Sequence, residues 1–230
     1  MSLDYLLSIA KIVLIDLALA GDNAVVIALA VRTLPRRQQF FGRVWGTFGA
    51  VALRIAFIAI VTYLMIIPLL QAVGGLLLIW IAVKLVRQSD GGGEGQVRHG
   101  TTLFEAVWII IVADVVMSLD NVIAVAGAAG GDLPLVVFGI GLSIPIVVWG
   151  SGVLATLMNR HPWIILVAGG ILGEVAGKMM VHEQFLIRHL GVTPPWAEWA
   201  LRLGLAAAIM LIGWAAMWRR AGEEREPVAR

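Results

Sequence analysis

The chain has 230 residues, 60% of them hydrophobic and 14% charged, with a mean hydropathy of +0.93. A water-soluble domain carries roughly 25% charged residues, so this composition indicates an all-α polytopic membrane protein whose first partner is the lipid bilayer. The net charge of +2 leaves no basic face for nucleic acid once membrane topology has used the arginines, and the lack of cysteine excludes disulfides, thiolate metal sites and cysteine nucleophiles.

Seven apolar stretches are long enough to cross a hydrocarbon core of about 30 Å at about 1.5 Å per residue. They are predicted near 4–31, 43–66, 69–87, 103–128, 134–158, 162–181 and 199–218. The first is too long for the apolar segment of a cleavable signal and has no basic flank, so it is expected to stay as a transmembrane helix. The low-complexity run Ser89–Gly95 divides the chain. The expected organisation is a three-helix unit at 1–88, a cytoplasmic Gly-rich linker at 89–102 and a second three-helix unit at 103–181. Residues 182–230 supply an extracytoplasmic link, a seventh helix and a cytoplasmic tail.

Cations fall in alternate links. Arg32, Arg36, Arg37 and Arg43 lie in the first, Lys84, Arg87 and Arg98 in the third, Arg160 in the fifth, and Arg219, Arg220, Arg225 and Arg230 in the tail. By the positive-inside rule the N-terminus is expected outside and the C-terminus in the cytoplasm, in the cell (inner) membrane.

Two spans carry the same motif. Asp16, Asp22 and Asn23 map onto Asp114, Asp120 and Asn121 with a constant offset of 98 residues. Gly74, Gly75 and Lys84 in the third span are echoed by Gly169, Gly170 and Lys178 in the sixth, with a small slip in register. Since each unit has an odd number of helices, the second copy enters the membrane from the opposite side. Inverted repeats of this kind place the substrate near the midplane, where the halves meet.

At 100° per residue, Asp16 and Asn23 share a face to within about 20°, as do Asp114 and Asn121. Asp22 and Asp120 lie about 120° from Asp16 and Asp114, and join them only if the helices unwind locally. Gly21 favours such a break in the first copy; Leu119 stands in its place in the second. A carboxylate at this depth costs several kcal/mol unless paired or wet. A lone intramembrane Asp is readily explained by an interhelical hydrogen bond, but a duplicated set of four is not. The donors are all hard oxygen, which suits Mn²⁺, Ca²⁺ or Mg²⁺. His99, His161, His182 and His189 fall in links or at helix ends, so no imidazole is available at the midplane and no organic cofactor is indicated. Four carboxylates around one divalent ion cannot all stay ionised when the ion leaves, which predicts exchange of metal for protons.

Other polar residues carry weaker signals. Arg54, mid-span in the second helix, is a candidate counter-charge for the empty site and equally an interhelical pairing residue. Glu174 is a candidate ligand or gate, although Lys178 stands at the i,i+4 spacing of a structural pair. Glu105 opens the fourth helix, where an acid complements the dipole, and Lys84 and Lys178 are expected to snorkel. Gly42 with Gly46, and Gly173 with Gly177, are expected at close helix contacts. Pro145 is a candidate kink. Trp45, Trp80, Trp163, Trp196, Trp199 and Trp218 read as interfacial anchors.

The segments Ile15–Ala28 and Ala113–Ala126 resemble the paired signatures of the TerC family, in particular its small seven-span YjbE-like branch within the LysE-type transporter superfamily. The resemblance covers essentially the whole chain. It implies two inverted three-helix repeats plus a C-terminal helix, and manganese efflux with Mn²⁺ as the transported ion. It also implies a metal site on Asp16, Asp22, Asn23, Asp114, Asp120 and Asn121. The family name records a link to tellurite resistance that the motif does not explain. Three readings compete. The first is a Mn²⁺ exporter, with Ca²⁺/H⁺ exchange as its variant, and the second a membrane component that delivers metal or assembles a resistance complex without turnover. The third, an intramembrane aspartyl protease, lacks the Gly-x-Gly-Asp and Pro-Ala-Leu signatures, so no enzyme activity is expected. A homo-oligomer is compatible with all of them.

Overall fold

The computed structural model describes residues 13, 21–64, 67, 69–88, 102–128, 133–183 and 194–223, with side chains throughout except at 58–64, 119–128, 133, 135–136 and 220–223. The described residues form seven helices and no strand. They are α1 (Gly21–Val31), α2 (Arg36–Leu64), α3 (Leu70–Arg87), α4 (Leu103–Ala128), α5 (Leu133–Arg160), α6 (Trp163–Val181) and α7 (Pro195–Glu223).

The protein is an α-helical polytopic membrane protein. Helices at 70–87, 137–160, 163–181 and 195–219 have the length and hydropathy to cross a bilayer. At 26 residues, α4 is about 39 Å long by its rise, enough to span as well. Large apolar side chains cover the outside, among them Trp45, Phe48, Trp80, Trp108, Trp149, Trp163, Trp196, Trp199, Leu211 and Trp218. In water such a surface would drive aggregation; against lipid tails it is the ordinary exterior, with indoles near span ends.

The centre is α1. From Val26 to Val31 every residue is buried, so this half of the helix is apolar all round and enclosed all round. It packs on α4 and α5, with lesser contacts to α2, α6 and α3. The densest packing elsewhere joins α6 to α7, α2 to α4, and α3 to α6. The glycine spacings set two of these contacts. A Cβ on Gly46 would meet the Ile110 side chain at 2.7 Å, and one on Gly173 would meet the Leu205 carbonyl oxygen at 2.8 Å and the Ala206 Cα at 2.9 Å. Gly177 lies as close to the Arg202 backbone, so α6 and α7 touch main chain to main chain, as small-residue spacings allow.

Several boundaries differ from the expected ones. α2 begins at Arg36 rather than 43, because the chain after Pro35 can wind at once and its Arg-rich first turns need no lipid. α7 begins at Pro195 rather than 199, with proline in the first helical position, and continues to Glu223, so the expected solvated tail starts as helix. α5 runs through Pro145 as one element.

Helix α3 is held at both ends by charges from distant sequence. Glu183, 4% exposed, accepts hydrogen bonds at its N-terminus from the backbone N–H of Leu69 (3.2 Å), Gln71 (2.8 Å) and Ala72 (3.1 Å). Leu69 takes a left-handed conformation there, φ 63°. At the C-terminus Arg32, equally buried, donates through Nη2 to the carbonyls of Leu85 (3.3 Å) and Gln88 (2.7 Å). An anion at the N-terminus and a cation at the C-terminus both complement the helix dipole and satisfy end groups that lipid would leave bare. Arg32 thus has a packing role beyond the topological one. Lys84 does not simply snorkel: it pairs with Glu105 and sits 5.0 Å from the Trp80 ring centroid. Glu105 lies in the first turn of α4, where its N–H donates to Thr102 Oγ1 at 3.1 Å.

Candidate cation site

Asp114 stands near the middle of α4 on the face turned to α1 and α2. It is 8% exposed, and Arg54 of α2 is 4% exposed beside it. Arg54 Nη2 lies 2.5 Å from Asp114 Oδ1, and Ser118 Oγ donates to Oδ2 at 3.2 Å. The two oxygens are thus held by different groups, one charged and one neutral. A buried charge on either residue alone would be strongly destabilising; together they form a neutral pair.

Beside the pair lies a small cavity of about 30 Å³, enough for one water or a small ion. Asn23 and Val26 of α1, Thr47, Ala50 and Arg54 of α2, Asp114 of α4 and Ser143 of α5 are among the residues around it. Asn23 Oδ1 and Thr47 Oγ1 are buried and have no hydrogen-bond partner among the described residues. Ser143 Oγ donates to the Ile140 carbonyl at 2.8 Å. Among the described residues, the polar side chains around the space are Asn23, Thr47, Arg54, Asp114 and Ser143. A larger open hollow, about 670 Å³, lies on the outer face of α5 against Pro134, Val137, Phe138 and Leu142. It is lined by apolar groups and offers lipid contact, not chemistry.

The expected motif residues separate under this geometry. Asn23 and Asp114 come together at the cavity. Asp22, one residue before Asn23 and so about 100° round α1, is not among the residues around that cavity. Asp16 lies outside the described residues, as do the side chains of Asp120 and Asn121. The backbone of α4 is one helix across Asp114 and Asp120, so the local unwinding that would bring these two together is absent in the second copy. No β-carbon-free residue interrupts α4 there, and Leu119 gives the helix no reason to break. Among the described residues no three His, Asp or Glu side chains gather.

Glu174 does not pair with Lys178. Its partner is Arg202 of α7, which bonds it through Nε (2.7 Å) and also through Nη2, while Nη1 reaches Glu198 at 2.9 Å. The planar guanidinium fork reaches two carboxylates from three separate nitrogens, with a fixed geometry that a single ammonium nitrogen does not have. Arg202 also lies 4.4 Å from the Trp199 ring centroid. Thr47, Ser118 and Arg202 went unread in the sequence, although spacing marks them. Thr47 is seven residues before Arg54 and Ser118 four after Asp114, each on the face of its charged neighbour, and Glu198–Arg202 is an i,i+4 pair.

Residues 1–221 match the integral membrane protein TerC family. The chain belongs to the TerC family. Both copies of the motif fall inside the match. Among TerC-related proteins, this chain is similar to the uncharacterized membrane protein YjbE of Bacillus subtilis (strain 168), 42% identical over 183 residues, covering 80% of this chain and 83% of the relative. It is also similar to the UPF0053 inner membrane protein YgdQ of Escherichia coli (strain K12), 25% identical over 195 residues, 78% of this chain and 81% of the relative. The UPF0053 protein YegH of the same strain is 26% identical over 192 residues, but only 36% of its length is covered. No solved structure matches this TerC-family chain.

Proposed function

We propose that this TerC-family protein exports divalent metal cations, Mn²⁺ foremost, across the cell membrane in exchange for protons, through a midplane site built on its paired Asp/Asn motifs. The observation that carries the reading is Asp114, a carboxylate buried at mid-helix in an apolar bundle beside a small cavity with unpartnered oxygens. Ionisable groups at such depth mark ion or substrate pathways. Hard oxygen donors favour Mn²⁺, Ca²⁺ or Mg²⁺ over zinc and copper, and the choice of Mn²⁺ rests on the resemblance of the motifs. Packing of α1 on α4 and α5, and of α2 on α4 and α5, supports a site between two three-helix halves. Asp114 is neutralised by Arg54, so the exchanged protons fall to Asp16, Asp22 and Asp120. An inward proton gradient then drives metal out, with the N-terminus outside and the C-terminus in the cytoplasm.

The test is metal sensitivity in cells lacking their own exporters, comparing the parent chain with Asp22→Asn and Asp120→Asn at equal expression. The parent should restore growth in manganese and both variants should fail to. Variants that protect as well as the parent would sink the site assignment.

A further inference from the structure

We infer that Arg54 is the internal stand-in for the transported cation, and that the cation's oxygen ligands include Asn23 and Thr47 beside Asp114. The inference rests on the transport reading above and deepens it. It starts from an imbalance in the cavity. Arg54 presents five N–H donors and no acceptor, and one of them meets Asp114 Oδ1 at 2.5 Å. Yet Asn23 Oδ1 and Thr47 Oγ1, 5% and 4% exposed by residue, face the same space without a partner. A buried acceptor left unmade costs about 1–3 kcal/mol. Two in one cavity, from two different helices, are acceptor capacity held open for a positively charged guest.

Charge then dictates exclusivity. Arg54 and Asp114 form a neutral pair at the cavity. A divalent cation entering a space of about 30 Å³ beside the pair meets the guanidinium charge at close range, where water screens it poorly, and competes with it for the same carboxylate. The cation can take Asp114 only as the guanidinium leaves it. Arg54 sits on α2 and Asp114 on α4, helices interlocked by Gly46 against Ile110 and Gly49 against Ile111. Withdrawal of Arg54 therefore opens room in the cavity from the α2 side, and its return expels the cation. Arg54 acts on the cation through Asp114 and is a positioning residue, whereas Asn23, Thr47 and Asp114 touch the ion.

The test is direct Mn²⁺ binding to the purified full-length chain in detergent, by titration calorimetry, for the parent, Arg54→Gln, Arg54→Lys and Thr47→Val. Removing the competing charge should tighten Mn²⁺ binding by at least about tenfold in Arg54→Gln, while Arg54→Lys stays within a few-fold of the parent. Thr47→Val, isosteric and lacking only the hydroxyl ligand, should weaken binding by about tenfold. Binding by the parent with no gain in Arg54→Gln would overturn the stand-in role and leave the transport reading intact. Absence of Mn²⁺ binding in both the parent and Arg54→Gln would overturn the transport reading, and the stand-in with it. Should Arg54→Gln fail to fold, Thr47→Val decides: an unchanged affinity refutes the ligand set.

Discussion

Replacing Glu183 with alanine isolates one consequence of the fold. The carboxylate takes three backbone N–H groups at the start of α3, at 2.8–3.2 Å, and is buried there. Each charge-assisted hydrogen bond of this kind is worth about 1.5–3 kcal/mol, and water entering the truncated site restores part of it, so the set should lose about 2–4 kcal/mol. The loss is local, since α3 remains packed on α6. It should appear as faster amide exchange at Leu69, Gln71 and Ala72 in detergent micelles, by roughly 30- to 900-fold at 1.36 kcal/mol per decade. Glu183→Gln keeps an acceptor oxygen but not the charge. It forfeits the dipole interaction of about 1 kcal/mol, a roughly fivefold effect. Exchange at these three amides within a factor of about three of the parent in Glu183→Ala would refute the cap.

Four further outcomes follow from the packing and charge pattern. Gly173→Ala drives a methyl into the Leu205 carbonyl and Ala206 Cα and should lower the unfolding free energy in detergent by about 1–3 kcal/mol. Gly204→Ala, which meets nothing within 4 Å, should leave it unchanged or raise it by up to about 1 kcal/mol. A double-mutant cycle on Glu174 and Arg202 should return a coupling of about 1 kcal/mol, since both side chains keep some exposure; zero coupling would make the contact incidental. A fluorescent protein that matures only in the cytoplasm should light up on the C-terminus and stay dark on the N-terminus; the reverse pattern would invert the topology.

What could be read in advance divides along physical lines. α4 was legible to the residue, since its apolar run is bounded by Thr102 as cap and by glycines and Asp132 after it. Lengths of α2 and α7 were not, because a helix that leaves the membrane does not need apolar residues to continue, and hydropathy stops reporting before the backbone does. Asp114 and Arg54 were each visible as charges out of place; that they meet is a tertiary fact between residues 60 apart. Glu183 and Arg32 were invisible as caps. Their partners are backbone groups 53–114 residues away, and backbone groups carry no sequence signal. Helical phase did foretell that Asp22 and Asn23 look in different directions, and in the structure Asn23 lines the cavity while Asp22 does not.

Reconstituted flux tests the central claim most directly. Proteoliposomes loaded with Mn²⁺ and holding the purified chain would be given an imposed pH gradient, and Mn²⁺ release followed with parent and Asp114→Asn protein. Saturable release that accelerates with the gradient in the parent, and falls by at least about a hundredfold in Asp114→Asn, is the predicted result. Release by the parent no faster than from protein-free vesicles, or undiminished in Asp114→Asn, would contradict it.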